Sequence, residues 1–142
     1  MDPVYLTAAD YPRIMALWEQ AGLSIRPHGR DSQPAFARQL AGGVQVILGL
    51  EEADRLVGVI VVTHDSRKGW LNRLAIDPAY RRQGLGLRLI QAAEEHLRSQ
   101  GIEVIGALIE DWNSTSLALF AKAGYADHPG IRYLSKRPGP EA

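Results

Sequence analysis

Residues 77–90 read Asp77-Pro78-Ala79-Tyr80-Arg81-Arg82-Gln83-Gly84-Leu85-Gly86-Leu87-Arg88-Leu89-Ile90. An apolar stretch, Trp70 to Ile76, runs into this segment, and Pro78 cannot continue a strand ladder. Beyond it Leu85, Leu89, Ala93 and Leu97 recur every fourth residue up to Gly101, the period of an amphipathic helix. A strand therefore hands over to a helix through a loop with two arginines and a Gly-x-Gly. The first amides of such a helix have no partner inside it, and its dipole is positive at that end. Gly84 and Gly86 carry no Cβ, so a ligand can approach their backbone. The combination is a nest for phosphate, to which Arg81 and Arg82 can add charge-assisted bonds. A tight turn with two solvated arginines would use the same residues. A P-loop is excluded, because no Gly-x-x-x-x-Gly-Lys-Ser/Thr occurs. A Rossmann fingerprint is excluded too, since Leu89 stands where its third glycine belongs.

Outward from the loop, the chain reads as one α/β domain. Pro3 to Leu6 is a short strand candidate. Thr7 caps a helix carrying Tyr11, Ile14, Met15 and Trp18 on one face, and Gly22 ends it. Leu23 to Pro34 is a polar loop, and Ala35 to Leu40 a short helix stopped at Gly42-Gly43. Val44 to Leu48, Leu56 to Val62 and Trp70 to Ile76 form a meander with polar turns. Ile102 to Ile109 is apolar on both faces and predicts an interior strand. Asn113 or Ser114 caps a helix with Leu117, Phe120 and Ala121, and Tyr125 to Ser135 predicts one or two further strands. The expected order is β-α-α-β-β-β-α-β-α-β over residues 1–142, with 136–142 a loose tail.

The bulk numbers narrow the function. The 142 residues suit one domain with a real core. The formal net charge is zero, so no global basic field would hold nucleic acid or an anionic membrane. No cysteine is present, which removes disulfides, thiolate metal sites and a Cys nucleophile. The histidines are scattered without metal spacing, so no metal is expected. Met1-Asp2-Pro3 lacks the pattern of a signal peptide, and the apolar runs are far too short to cross a bilayer. A soluble, cytoplasmic protein is the expectation.

The string Leu74 to Gly86 resembles motif A of the GNAT superfamily of acyl-CoA N-acyltransferases, Arg/Gln-x-x-Gly-x-Gly/Ala after a strand. Downstream, Asn113 to Tyr125 is similar to the family's "Asn…Tyr-x-x-x-Gly-Phe" segment, and the element order fits from Val4 to about Lys136. The resemblance implies a GNAT-like fold: a mixed central sheet with helices on both faces, whose central strands splay apart at Leu74 to Ile76 and Ile102 to Ile109. It implies acetyl-CoA as co-substrate, with pantetheine in the splay against Leu74, Ala75 and Ile76. The pyrophosphate would be wrapped by Arg81, Arg82, Gln83, Gly84, Leu85, Gly86 and Leu87, with Asn113 and Phe120 on the pantetheine side. Asn113 serves equally well as a helix N-cap.

The reaction so implied is direct transfer of acetyl to a primary amine, on a small molecule or a protein N-terminus. The amine must be neutral. At pH 7 deprotonation costs roughly 4.6 kcal/mol for a lysine-like amine of pKa near 10.4, but only about 1 kcal/mol for an α-amine near 7.8. The chain departs from the family pattern twice. Trp70 to Ile76 holds no carboxylate, so Glu110 is the candidate base, directly or through water. Phe120 stands where many relatives have the tyrosine that protonates the leaving thiolate, which leaves Tyr125 as the nearest hydroxyl. These departures favour an acceptor that is easy to deprotonate. Arg26, His28 and Arg30 in the loop from Leu23 to Pro34 admit acceptors bearing an anion. A homodimer through the C-terminal strands is compatible with the sequence. Two other functions fit the same residues: a CoA-binding sensor or interaction domain that has lost efficient transfer, and a domain for another phosphate ligand such as a nucleotide.

Overall fold

The computed structural model describes the whole chain, Met1 to Ala142. Five strands form one sheet: β1 (Val4–Tyr5), β2 (Gln45–Glu52), β3 (Arg55–His64), β4 (Lys68–Ile76) and β5 (Val104–Ala107). The first four pair antiparallel in sequence order, and β5 joins β4 in parallel. The turn between β2 and β3 takes two residues, Ala53 and Asp54, both at positive φ, which matches the twist of a tight hairpin. The parallel step needs a crossover, supplied by α3 (Leu85–Ser99).

Helices cover both faces. On one side α1 (Tyr11–Gln20) and α2 (Gln33–Ala41) bring Ile14, Leu17, Trp18 and Phe36 onto Ile47, Val59, Val61 and Ala75. On the other, α3 and α4 (Ser114–Lys122) bring Leu89, Ile90, Ala93, Leu97 and Phe120 onto Leu48, Val57, Ile60 and Leu71. Each fully buried aliphatic side chain stabilises by roughly 1.5–3 kcal/mol. β3, buried on both faces, anchors β4 beside it. Asn113 caps α4 as expected, accepting from the amide of Ser116, whereas Thr7 forms its capping box with Asp10 on a 3-10 turn, Ala8–Asp10, that leads into α1.

Two expectations fail. Tyr125 to Ser135 forms no strand; Ile131, Tyr133 and Leu134 are exposed and have no strand partner. Consequently β5 is an edge strand of four residues, with Val104 56% exposed, and not the interior strand its apolar run suggested. A β-prone sequence gives a strand only where a neighbouring edge accepts its hydrogen bonds. Here the segment is held otherwise: Tyr125 bonds to Glu94, and His128 and Ile131 close a turn. The tail comes back to the loop after α1, where the Pro140 carbonyl accepts from Arg26 Nε at 3.1 Å.

Candidate active site

Two hollows meet along β4. The first is a gap between β4 and β5. Their ladder runs from Lys68–Val104 to Leu71–Ala107 and ends there. From Asn72 onward β4 stays paired with β3, but its other edge has no strand partner. Such an edge offers backbone donors and acceptors to any extended chain laid along it. Leu74 and Ile76 turn to the α3 side of the sheet, where they pack on that core, whereas Ala75 is buried on the α1 side.

The turn from β4 to α3 lies at the end of that gap. Asp77, only 3% exposed, fixes its start. Its carboxylate accepts from the Ala79 amide at 2.9 Å and from Arg55 Nη2 at 2.8 Å. These two bonds, the amide first, hold the acid below the usual carboxylate range. Arg81, Arg82, Gln83 and Gly84 are exposed, and neither arginine pairs with a carboxylate. Gly84 caps α3 in the left-handed region at φ 76°, with no side-chain cap, and the helix ladder starts only with the bond from Arg88 N to Gly84 O. The amides of Leu85, Gly86 and Leu87 therefore precede the helix's own bonds and point out of its positive end.

The two glycines serve different needs. A Cβ on Gly84 would meet nothing within 4 Å, so its requirement is conformational. A Cβ on Gly86 would come within 2.8 Å of Leu119 Cδ2, so Gly86 lets α4 close on α3. An uncapped amide cluster, two free arginines and an open strand edge fit a diphosphate ester with an extended tail, the shape of a coenzyme A thioester.

The second hollow lies on the opposite face, among α1, α2 and the sheet, with a volume of about 460 Å³. Trp18, Phe36 and Val61 form its apolar wall; Arg30, Asp31, Asn72 and Arg73 are among its polar lining. A bulge in β4 builds it. Val61 pairs with Asn72 and Val59 with Ala75, so Arg73 and Leu74 together oppose the single residue Ile60. The slip reverses the alternation of side chains, and the consecutive residues Asn72 and Arg73 both line the cleft. Arg73 takes φ 51°, a left-handed backbone that costs an arginine roughly 1 kcal/mol or more.

The Arg73 side chain is 22% exposed. Its guanidinium lies 4.2 Å over the Trp18 ring, while Trp18 Nε1 donates to the Arg73 carbonyl at 3.2 Å. Burial pushes its pKa down; Asp31 opposes that, and Arg30 and Arg26 add to it. The sequence did not single out Arg73 or Trp18: Trp18 reads as plain core, and nothing in Trp70 to Ile76 signals a bulge.

The expected catalytic groups are separated. Glu110 is exposed beyond the end of β5, and its carboxylate bonds to no protein group. Tyr125 Oη donates to Glu94 Oε2 at 2.8 Å on α3. Burial and then that carboxylate push the phenol well above its ordinary pKa. Its ring meets Phe120 edge-on at 5.1 Å, and Phe120 itself is 6% exposed within the core. Of the loop cations, Arg30 lines the cleft; Arg26 is tied to Ser24, Ile25 and Pro140, and His28 is not among the lining residues.

Residues 11–125 match the model of the acetyltransferase (GNAT) family. An acetyltransferase of Sodalis glossinidius (strain morsitans) is 27% identical over 128 residues, 90% of this chain and 89% of that one. Among solved structures, AAC(6')-Iy in complex with the bisubstrate analog CoA-S-monomethyl-acetylneamine has a TM-score of 0.80 at 15% identity, covering 96% of this chain and 97% of that one. A predicted acetyltransferase from Clostridium acetobutylicum with acetyl-CoA has a TM-score of 0.76 at 14% identity, covering 94% and 95%. At these identities the likeness concerns the fold.

Proposed function

The chain belongs to the GNAT family of acetyltransferases and is an acyl-CoA-dependent N-acetyltransferase; from that premise we propose that it transfers acetyl from acetyl-CoA to a primary amine of a small molecule or a protein N-terminus by direct attack. One observation carries the proposal. The β4–β5 ladder stops at Leu71–Ala107, and β4, which ends at Ile76, leads through a short turn into an uncapped helix N-terminus at Gly84. A thioester tail has an open strand edge to follow, and its diphosphate has unpaired amides to meet.

In this proposal the amides of Leu85 to Leu87 and the side chains of Arg81 and Arg82 bind the diphosphate, with Gln83 and Gly84 shaping the turn. Leu74, Ala75 and Ile76 supply backbone and apolar surface to the pantetheine arm. Asn113 closes the far side from the start of α4, with Phe120 about two turns further along that helix. The acceptor enters from the cleft beside Trp18 and Arg73. Its nitrogen attacks the thioester carbonyl, the C–S bond breaks, and the amine proton leaves through water, toward Glu110 for an acceptor that needs a base. The departing thiolate takes a proton from water, or from Tyr125 once Tyr125 releases Glu94. An α-amine suits this chemistry, since its deprotonation is cheap near neutral pH.

Calorimetry with acetyl-CoA and with ATP, followed by thiol release against a broad amine panel, tests the assignment. Acetyl-CoA is expected to bind in preference to ATP and to turn over. Preference for ATP would defeat it. Tight acetyl-CoA binding with no turnover on any amine would move the chain to the competing role of a CoA-binding sensor, which the Phe120 position keeps in view.

A further inference from the structure

The acceptor cleft carries more charge than the transfer chemistry needs. Its charged lining consists of Arg30, Asp31 and Arg73, a surplus of one positive charge. Asp31 offsets one of the two arginines through an ion pair with Arg73, but it shares no hydrogen bond with that guanidinium. Its Oδ2 is held by the Arg26 amide at 2.7 Å and stands 3.7 Å from Arg73 Nη2, beyond hydrogen-bond reach. The guanidinium makes one hydrogen bond to protein, from Nη2 to the Ser24 carbonyl at 3.1 Å. Its Nε is buried with no partner at all. With Asp31, the Trp18 ring and the Ser24 carbonyl as its protein partners, the guanidinium still has terminal N–H donors that no protein acceptor uses and that a ligand in the cleft can take up.

The backbone points the same way. Asparagine or glycine would sit comfortably at φ 51°, whereas arginine is strained there. The bulge thus presents this particular side chain to the cleft, flat on the Trp18 ring and two residues past the end of the β4–β5 ladder. Cleft and gap adjoin at Asn72 and Arg73.

We propose that the acceptor is an amine bearing a carboxylate, an amino acid or a close analogue, whose carboxylate is received by Arg73 with Arg30 while its amine faces the β4–β5 gap. This inference rests on the acetyltransferase reading and names its substrate class. A single surplus charge matches one carboxylate. The planar guanidinium fork matches its two oxygens. The wall of Trp18, Phe36 and Val61 takes an apolar side chain, and about 460 Å³ is room for a molecule of that size. The same arginines repel a polycation, so an aminoglycoside is a poor acceptor here.

Matched pairs test this: L-amino acids and their C-terminal amides, with O-phosphoethanolamine and an aminoglycoside alongside, assayed by thiol release from acetyl-CoA. The carboxylate raises the pKa of the adjacent amine above that of the amide, so rates are compared per fraction of neutral amine; on that basis the best acid is expected to exceed its amide by about tenfold or more in kcat/KM, the scale of one charge-assisted pair. Arg73→Asn, which relieves the left-handed strain and so keeps the fold, should erase that ratio by raising KM for the acid alone. Arg73→Lys should retain part of it. A role confined to folding would move acid and amide together. A second readout needs no turnover: with CoA present, N-acetylamino acids should raise the melting temperature more than their amides do, in the parent but not in Arg73→Asn. Amides or the aminoglycoside equal to the acids in both assays would overturn the carboxylate cradle and leave acetyl transfer standing. A phosphate-bearing amine surpassing every amino acid would overturn it as well. Failure of acetyl-CoA itself to bind would instead sink the transfer reading beneath it.

Discussion

The turn after β4 and the bulge inside it both rely on left-handed backbone, and they use it in opposite ways. In the turn, Arg82 at φ 64° and Gly84 at φ 76° aim main-chain amides outward, and the side chains are free in solvent. In the bulge, Arg73 at φ 51° aims a side chain inward and lays it on Trp18. On the function proposed above, a site made of amides would recognise what every coenzyme A thioester shares, and one positioned guanidinium would recognise what distinguishes one acceptor from another. In that proposal the donor half is generic and the acceptor half is particular.

The division breaks most visibly at Gly84. Gly84→Val forces a β-branched residue into the left-handed region, a strain of about 1–3 kcal/mol. Relief comes by turning the amides away, so affinity for CoA should fall roughly 10- to 100-fold. Thermal stabilisation by N-acetylamino acids should persist. Calorimetry with CoA reads the first and melting curves the second; unchanged CoA affinity would mean that the diphosphate lies elsewhere.

Trp18→Phe probes the other half. It removes the bond to the Arg73 carbonyl and weakens the ring beneath the guanidinium. An unsatisfied carbonyl and a poorer cation–π contact should lower stability by about 1–2 kcal/mol and raise the acceptor KM about 3- to 10-fold. Affinity for CoA should not change. A shift in CoA affinity as large as that in acceptor KM would show the two halves to be one coupled unit.

The same asymmetry decides what could be read from the sequence. A strand, two glycines at fixed spacing and a four-residue apolar period suffice to expect the donor turn, because backbone chemistry needs little more. On β4 the gap includes Leu74 to Ile76, where a parting is expected, but in the other expected stretch, Ile102 to Ile109, Val104 to Ala107 is paired with β4. The acceptor side was opaque for a physical reason. A bulge shifts register by one residue, and the string from Trp70 to Ile76 looks the same with or without it. Without the bulge Arg73 belongs to the opposite face from Asn72; with it the two share a cleft. Trp18 was recognised only as an apolar position on α1, since its role depends on a carbonyl 55 residues away. The missing C-terminal strands have a similar cause: Tyr125 to Ser135 has strand-like composition, but pairing is a property of the neighbour.

Tyr125→Phe sharpens the account of the leaving group. The phenol's proton is committed to Glu94, and its raised pKa makes it a reluctant acid. Losing that bond should destabilise the fold by about 1–2 kcal/mol, with kcat changed by no more than about twofold. Denaturant unfolding and saturating turnover separate the two effects. A loss in kcat beyond about tenfold, with CoA affinity intact, would make Tyr125 the proton donor after all.

The smallest effect is expected at Glu110. Its carboxylate is exposed beyond the end of β5 and bonds to nothing on the protein. With a peptide-like α-amine, such as a protein N-terminus or an amino acid amide, the neutral nucleophile is already abundant above about pH 7.8, whereas the carboxylate of a free amino acid makes its amine more basic. Glu110→Gln should therefore change kcat/KM for such amines by less than about twofold at pH 8, with no loss of stability. The pH profile should rise through the acceptor's own amine pKa and move with it from one acceptor to another. Acceptors of lysine-like basicity would depend on the carboxylate far more, because their neutral form is scarce. A profile that keeps its midpoint when the acceptor is changed, and loses it in Glu110→Gln, would assign the titration to the enzyme and make Glu110 the general base.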